Sequence, residues 1–121
     1  MYTEYQRELN LAKQKLLEIN FKLEQDNDYK ATFGNDTMWK IDINGKWYDN
    51  YCYIIIRNES SDKMVVGKKG LPVWVLMKFF GFESKTRTTE EELDFIIKYK
   101  DRIFGDMCKF ENAFKQLKNS I

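Results

Sequence analysis

Histidine is absent from this 121-residue chain. With it go the commonest general base, the most frequent metal ligand and the one side chain that ordinarily titrates near neutral pH. Cysteine is nearly absent. Cys52 and Cys108 are too few and too far apart for a zinc motif or a redox pair. Cys52 alternates with Ile54 and Ile56, as a buried thiol does, and two core thiols in a reducing compartment is the plain reading, although the sequence does not forbid their pairing. There is one proline, and the longest apolar run, Leu71 to Met77, is seven residues. No segment therefore approaches a membrane span or the apolar core of a secretory signal, and a cytoplasmic protein that engages no membrane is expected. A surplus of either charge is missing too. The net charge of +1 leaves no global field that would draw in nucleic acid or anionic lipid.

What is present specifies a scaffold. Hydrophobic residues make up 43% and aromatics 16%, which excludes a disordered chain. No linker, repeat or low-complexity stretch divides the sequence, so residues 1–121 read as one domain, long enough to bury a core without staples. Nineteen Phe, Trp and Tyr residues exceed what a core of this size usually holds, so some are expected to face a partner, a ligand or water.

Two apolar seams with helical spacing bracket the chain. Tyr2, Tyr5, Leu9, Ala12, Leu16, Ile19 and Leu23 recur every three or four residues, predicting a helix from Thr3 to Asp28 with Thr3 as its N-cap. Leu93, Ile96, Ile103, Met107, Phe110, Phe114, Leu117 and Ile121 repeat the pattern, broken only by Lys100. Thr89 followed by Glu92 reads as a capping box, with Glu90, Glu91 and Asp94 complementing the helix dipole, and Gly105-Asp106 splits this segment into 89–104 and 106–118.

Between the seams the chain reads as sheet. It runs extended over 29–33, turns at Gly34-Asn35-Asp36, and alternates Trp39, Ile41 and Ile43 against Lys40 and Asp42 in a half-buried strand. Asn44-Gly45 is a strong hairpin signal, since a type I′ turn needs positive φ at both central residues. A second strand over 46–58 then sets Ile43 opposite Lys46, Ile41 opposite Tyr48, Trp39 opposite Asn50 and Lys40 opposite Asp49. A short third strand over 63–66 follows. Pro72 opens and Gly81 closes a helix over 72–80, although Val73-Trp74-Val75 suits a strand as well. The expected fold is α+β: a long N-terminal helix, a three- to four-stranded antiparallel sheet, a short helix and a long C-terminal helical segment.

Two surfaces stand out. On the register above, Asp42, Trp47, Asp49, Tyr51 and Tyr53 share the face opposite the core residues Trp39, Ile41, Ile43, Tyr48, Cys52, Ile54 and Ile56. A face both aromatic and acidic suits a basic protein partner, because Tyr and Trp supply contact area at small entropic cost. The same face is a second core layer if a terminal helix covers it. The second surface is a basic belt over 57–87 containing Arg57, Lys63, Lys68, Lys69, Lys85 and Arg87, interleaved with Trp74, Phe79, Phe80 and Phe82. Positive charge with stacking rings is how single strands are held, so a nucleic-acid-binding or regulatory module is the alternative reading. Those rings nevertheless fall in the most apolar stretch and read mostly as core. Within the belt, Gly67-Lys68-Lys69-Gly70 lacks the spacing of a P-loop and reads as a turn.

No catalytic set assembles. There is no Gly-x-Ser-x-Gly and no acid cluster with metal-ligand spacing, and Asp42 and Asp49 are better used in cross-strand pairing with Lys40 than in acid–base work. An enzyme, a metal or a cofactor is not expected. A small, histidine-free α+β chain with spare aromatics resembles, in build and over its whole length, the small cytosolic immunity proteins of bacterial toxin–immunity pairs. That resemblance implies a protein that sequesters a cognate toxin domain by direct binding. Self-association through the terminal seams is a further option.

Overall fold

A computed structural model describes residues 3–46, 49–59, 70–82 and 88–105. A 3₁₀ turn, Thr3–Tyr5, leads into α1 (Gln6–Leu17). Then come β1 (Lys22–Asp26), β2 (Lys30–Gly34), β3 (Trp39–Lys46), β4 (Asp49–Asn58), β5 (Leu71–Pro72), α2 (Val73–Phe79), α3 (Thr89–Lys98) and α4 (Lys100–Phe104). The strands form one antiparallel sheet in the order β1-β2-β3-β4-β5. The α+β class and the antiparallel sheet agree with the sequence. Among the described residues the strands number five rather than three or four, and the C-terminal helical segment is broken at Tyr99.

The first helix is half its expected length, and the reason is one residue. Asn20 adopts φ 65°, its N–H donates to the Leu17 carbonyl at 3.0 Å, and the Phe21 N–H reaches back to the Leu16 carbonyl at 3.0 Å. This is the Schellman stop, with asparagine in the left-handed position and buried Phe21 and Leu16 completing its apolar contact. Thr3 opens the 3₁₀ turn, and the helix N-cap is Tyr5, without a side-chain capping bond. Leu23, the last residue of the expected seam, lies in β1, where it pairs with Phe33. A tight turn returns the chain into β2, with the Asn27 side chain accepting from the Lys30 N–H at 3.0 Å. β1 is an edge strand, mostly exposed, bulged between Leu23 and Gln25 and rich in charge, all features that discourage pairing with another chain.

The expected turn at 34–36 is present: β2 stops at Gly34, Asp36 adopts φ 65°, and the Thr37 hydroxyl donates to the Asn35 side chain while accepting from the Trp39 N–H. The hairpin turn is not at Asn44-Gly45. β3 runs on to Lys46, which pairs with Asp49, so Ile43 faces Ile54, Ile41 faces Ile56, Trp39 faces Asn58 and Lys40 faces Arg57. Gly45 is used for close approach instead. Its N–H donates to the Tyr29 carbonyl at 2.7 Å, and a Cβ on it would stand 2.6 Å from the buried ring of Tyr5. The core face of the hairpin survives this change of register because the shift is an even number of residues: Trp39, Ile41, Ile43, Cys52, Ile54 and Ile56 are all buried.

One helical layer covers that face. Tyr5 from the 3₁₀ turn, Leu9, Ala12 and Leu16 from α1, Leu93 and Ile96 from α3 and Ile103 from α4 join the sheet residues in a continuous apolar cluster. Burial of each leucine or isoleucine contributes roughly 1.5–3 kcal/mol. α1 packs against α3, where Lys15 and Asp94 meet at 2.6 Å. That hydrogen bond, opposed by partial burial, raises the Lys15 ammonium above its ordinary value. Phe104 closes the far end, 5.1 Å from Phe21 and 5.3 Å from Trp39 between ring centres. Lys100, the interruption in the second seam, is exposed. Cys52 is buried and unbridged, whereas Cys108, the strand expected over 63–66 and the helix expected over 106–118 lie outside the described residues.

The short helix matches expectation, with Pro72 as its N-cap and Gly81 turning the chain at φ 77°. Trp74, expected in the core, is 37% exposed on its outer side, and Phe80 is half-buried. α3 starts one residue earlier than the capping-box reading places it. The Thr88 hydroxyl, not that of Thr89, accepts from the Glu91 N–H at 3.1 Å, while Thr89 and Glu92 are buried. Thr88→Ala is therefore expected to cost about 1 kcal/mol in a denaturant melt, and Thr88→Asp close to nothing.

Candidate functional site

The outer sheet face is built around Asp42. Alternation along β3 points it away from the helices, yet its carboxylate is only 4% exposed because neighbours on both sides close over it. Thr32 on β2 donates its hydroxyl to Oδ1 at 2.7 Å, and Arg57 on β4 donates Nε to Oδ2 at 2.7 Å, with a longer 3.5 Å contact from its terminal nitrogen to Oδ1. Lys30 Nζ stands 3.8 Å away. Arg57 extends the chain of charges to Glu59 at 3.1 Å. Burial works against the charged guanidinium, but the hydrogen bond and charge of Asp42, then those of Glu59, outweigh it and raise its pKa above the ordinary value. Lys40 does not meet Asp49; its ammonium bonds Glu24 on β1 at 2.7 Å. The centre of this face is thus a satisfied ion-pair network, and such a network fixes register more readily than it recognises a partner.

The five residues read as one aromatic–acidic surface therefore separate. Asp42 is internal and its oxygens are occupied. Tyr53 is half-buried in β4, opposite Asn44. Asp49 and Tyr51 are placed by backbone alone, at the far end of β4, and Trp47 lies outside the described residues. The register shift between Gly45 and Lys46 sets two β4 residues, Asn50 and Tyr51, against none on β3, so simple alternation does not carry from Tyr53 to Asp49. Of the basic belt, Arg57 is committed to Asp42 and Glu59, while Lys63, Lys68, Lys69, Lys85 and Arg87 lie outside the described residues.

A second place combines rings and carboxylates, and the sequence reading missed it. Beside α3 an open cleft of about 330 Å³ is walled by Phe82, Phe95 and Tyr99, with Glu90, Glu91 and Asp94 along its rim. The rings belong to one aromatic cluster: Phe95 lies 5.0 Å from Tyr99, 5.6 Å from Phe80 and 5.9 Å from Phe82. The signal was there in the spacing Glu91, Phe95, Tyr99, a row at i, i+4, i+8 beside the core seam. The apolar seam of Leu93 and Ile96 masked it.

Among the described residues no group of three or more His, Cys, Asp or Glu side chains is arranged to hold a metal ion, and no helix is long and apolar enough to cross a membrane. Comparison with protein-family models, with characterised proteins and with solved structures finds no match to this chain.

Proposed function

We propose that this chain is a protein-binding inhibitor of the immunity type, acting in the cytoplasm to neutralise a cognate bacterial toxin domain by direct contact rather than by catalysis. The observation that carries the reading is the build of the β3–β4 hairpin. β2 begins at Lys30, opposite Asn44, so the end of the hairpin beyond Asn44 projects past the end of that strand. Its base is braced from the helical side by Tyr5 packed on Gly45 and laterally by the Gly45 to Tyr29 hydrogen bond. The backbone of this braced end includes Asp49 and Tyr51, with Tyr53 at its root, and Trp47, the other residue of the expected contact set, lies outside the described residues. Aromatic side chains on a braced ribbon lose little freedom on docking, which is how a few anchors come to dominate a protein interface.

Asp42 is left out of the contact set because its charge is spent inside the sheet. The nucleic-acid alternative is weakened at Arg57 for the same reason: a guanidinium shared between two carboxylates has little left for a phosphate.

The test is capture of a partner by the tagged full chain from nuclease-treated lysate of its source, followed by affinity measurement with variants. Asp49→Lys combined with Tyr51→Ala is expected to weaken the complex by at least about tenfold, the effect of losing one anchor, while leaving the thermal midpoint unchanged. Full affinity in that variant would overturn the placement. Recovery of nuclease-sensitive, salt-sensitive material instead of a protein would overturn the inhibitor reading itself.

A further inference from the structure

We propose that Asn44 is a self-modification site: the fold holds it unreactive, and opening of the β3–β4 hairpin end releases its conversion to aspartate or isoaspartate. Of the nine asparagines in the chain, Asn44 alone is followed by glycine. The reaction is intramolecular. The Gly45 backbone nitrogen, on losing its proton, attacks Cγ of Asn44. The Cγ–Nδ2 bond breaks, Nδ2 takes up a proton and leaves as ammonia, and a cyclic imide remains. Water then opens the imide at either carbonyl. Cleavage of the new bond from Gly45 N to Cγ gives aspartate. Cleavage at the main-chain carbonyl gives isoaspartate, whose backbone runs through Cβ and Cγ and is longer by one atom. A side chain on the following residue crowds the attacking nitrogen, and glycine has none.

In the folded chain the attacking atom is held. The Gly45 N–H donates to the Tyr29 carbonyl at 2.7 Å, a short hydrogen bond that keeps the proton on the nitrogen. Asn44 pairs with Lys30 on β2 and with Tyr53 on β4, so its backbone is extended. Ring closure needs the Asn44 Cα–C bond turned far from that conformation. The turn would take Gly45 out of its bond to Tyr29 and out of its seat on Tyr5, whose ring lies so near that a Cβ on Gly45 would stand 2.6 Å from it. The leaving group has no comparable restraint: Asn44 Nδ2 is buried with no hydrogen-bond partner among the described residues. Gly45 is therefore the gate, and it opens when the hairpin end separates from Tyr5 and Tyr29. Local openings of this kind need less free energy than global unfolding.

The two products differ in consequence. Aspartate at this position faces Lys30 across the ladder and leaves the strand its length. Isoaspartate inserts a main-chain atom ahead of the pairs Gly45 with Cys52 and Lys46 with Asp49, which then cannot stay in step with the pairs behind them. A hairpin end that opens and converts in this way does not close again in its original register. None of this depends on what the hairpin binds, so the proposal stands apart from the inhibitor reading.

The test is incubation of the full chain in mildly alkaline buffer with and without denaturing urea, followed by peptide mapping with mass spectrometry that separates aspartate from isoaspartate. In urea Asn44 is expected to convert faster than any other asparagine of the chain. In the folded chain it is expected to convert at least about tenfold more slowly than in urea, and hydrogen exchange at the Gly45 amide should be slowed by at least as much. Conversion at the same rate in both conditions, or another asparagine leading in urea, would overturn the proposal. The consequence is read separately. The Asn44→Asp variant is expected to melt like the parent chain, whereas isoaspartate material isolated by chromatography should melt at least about 4 °C lower. An isoaspartate form that melts with the parent would overturn the claim that the longer backbone spoils the register.

Discussion

Asp42→Ala is expected to destabilise the fold by about 3 kcal/mol, the usual consequence of removing one member of a buried ion pair. The carboxylate is 4% exposed and satisfies Thr32 on one strand and Arg57 on another. Its loss leaves the Thr32 hydroxyl without its acceptor and a guanidinium that is only 20% exposed without its main counter-charge. The penalty arises from the groups left behind, so removing them together is expected to relieve it. Asp42→Val with Arg57→Met should lie within about 1 kcal/mol of the parent, because an apolar replacement of similar volume avoids the desolvation cost of both charges. Urea denaturation of the two variants decides the matter. A loss below about 0.5 kcal/mol for Asp42→Ala, the ordinary scale for a surface position, would return this residue to the partner-facing set from which its burial removes it. The experiment therefore bears on function as directly as on stability.

How far the sequence could be read depended on whether a signal was local. The inner sheet face was legible because Trp39, Ile41 and Ile43, and then Cys52, Ile54 and Ile56, alternate without a break, and period two survives any even error in register. α2 was legible from Pro72 and Gly81, each of which acts through its own backbone geometry. The end of α1 was not. A single Asn20 in the left-handed region stops a helix whose apolar spacing continues to Leu23, and β1 (Lys-Leu-Glu-Gln-Asp) offers no alternation to compete with that spacing.

Asn44-Gly45 misled for a tertiary reason: the missing Cβ accommodates the ring of Tyr5, forty residues away in the chain, rather than a turn. The candidate site suffered most. Asp42 was read as a contact residue because its partner, Arg57, reaches it only in the observed register, where Arg57 pairs directly with Lys40 and bonds Asp42 on the diagonal. The α3 cleft needs Phe82, beyond the end of α2, to stand beside Phe95, and no spacing within either helix announces that contact.

Replacement of Gly70 by alanine is expected to cost about 3 kcal/mol. The amount has two sources. Gly70 adopts φ +66°, which costs an L-residue roughly 1–2 kcal/mol. It is also buried against β4, where a Cβ would stand 2.8 Å from the Ile56 carbonyl oxygen, 2.8 Å from the Ile55 side chain and 2.7 Å from Cβ of Arg57. The carbonyl belongs to a strand that pairs with β5 at Leu71, so it cannot withdraw without opening the ladder that immediately precedes α2. Such overpacking adds about 1–3 kcal/mol.

Gly81 provides the control. It adopts φ +77° with nothing within 4 Å of its added Cβ, so only the backbone contribution applies. Asparagine tolerates the left-handed region; Gly81→Asn should therefore be close to neutral while Gly70→Asn remains severely destabilised. Equal effects at the two positions would show that the backbone angle alone matters. A negligible effect at Gly70 would reopen the reading of Gly67-Lys68-Lys69-Gly70 as a ligand loop. A large one assigns its final glycine to the passage of the chain across β4, and leaves a phosphate-binding role there with one fewer residue to explain.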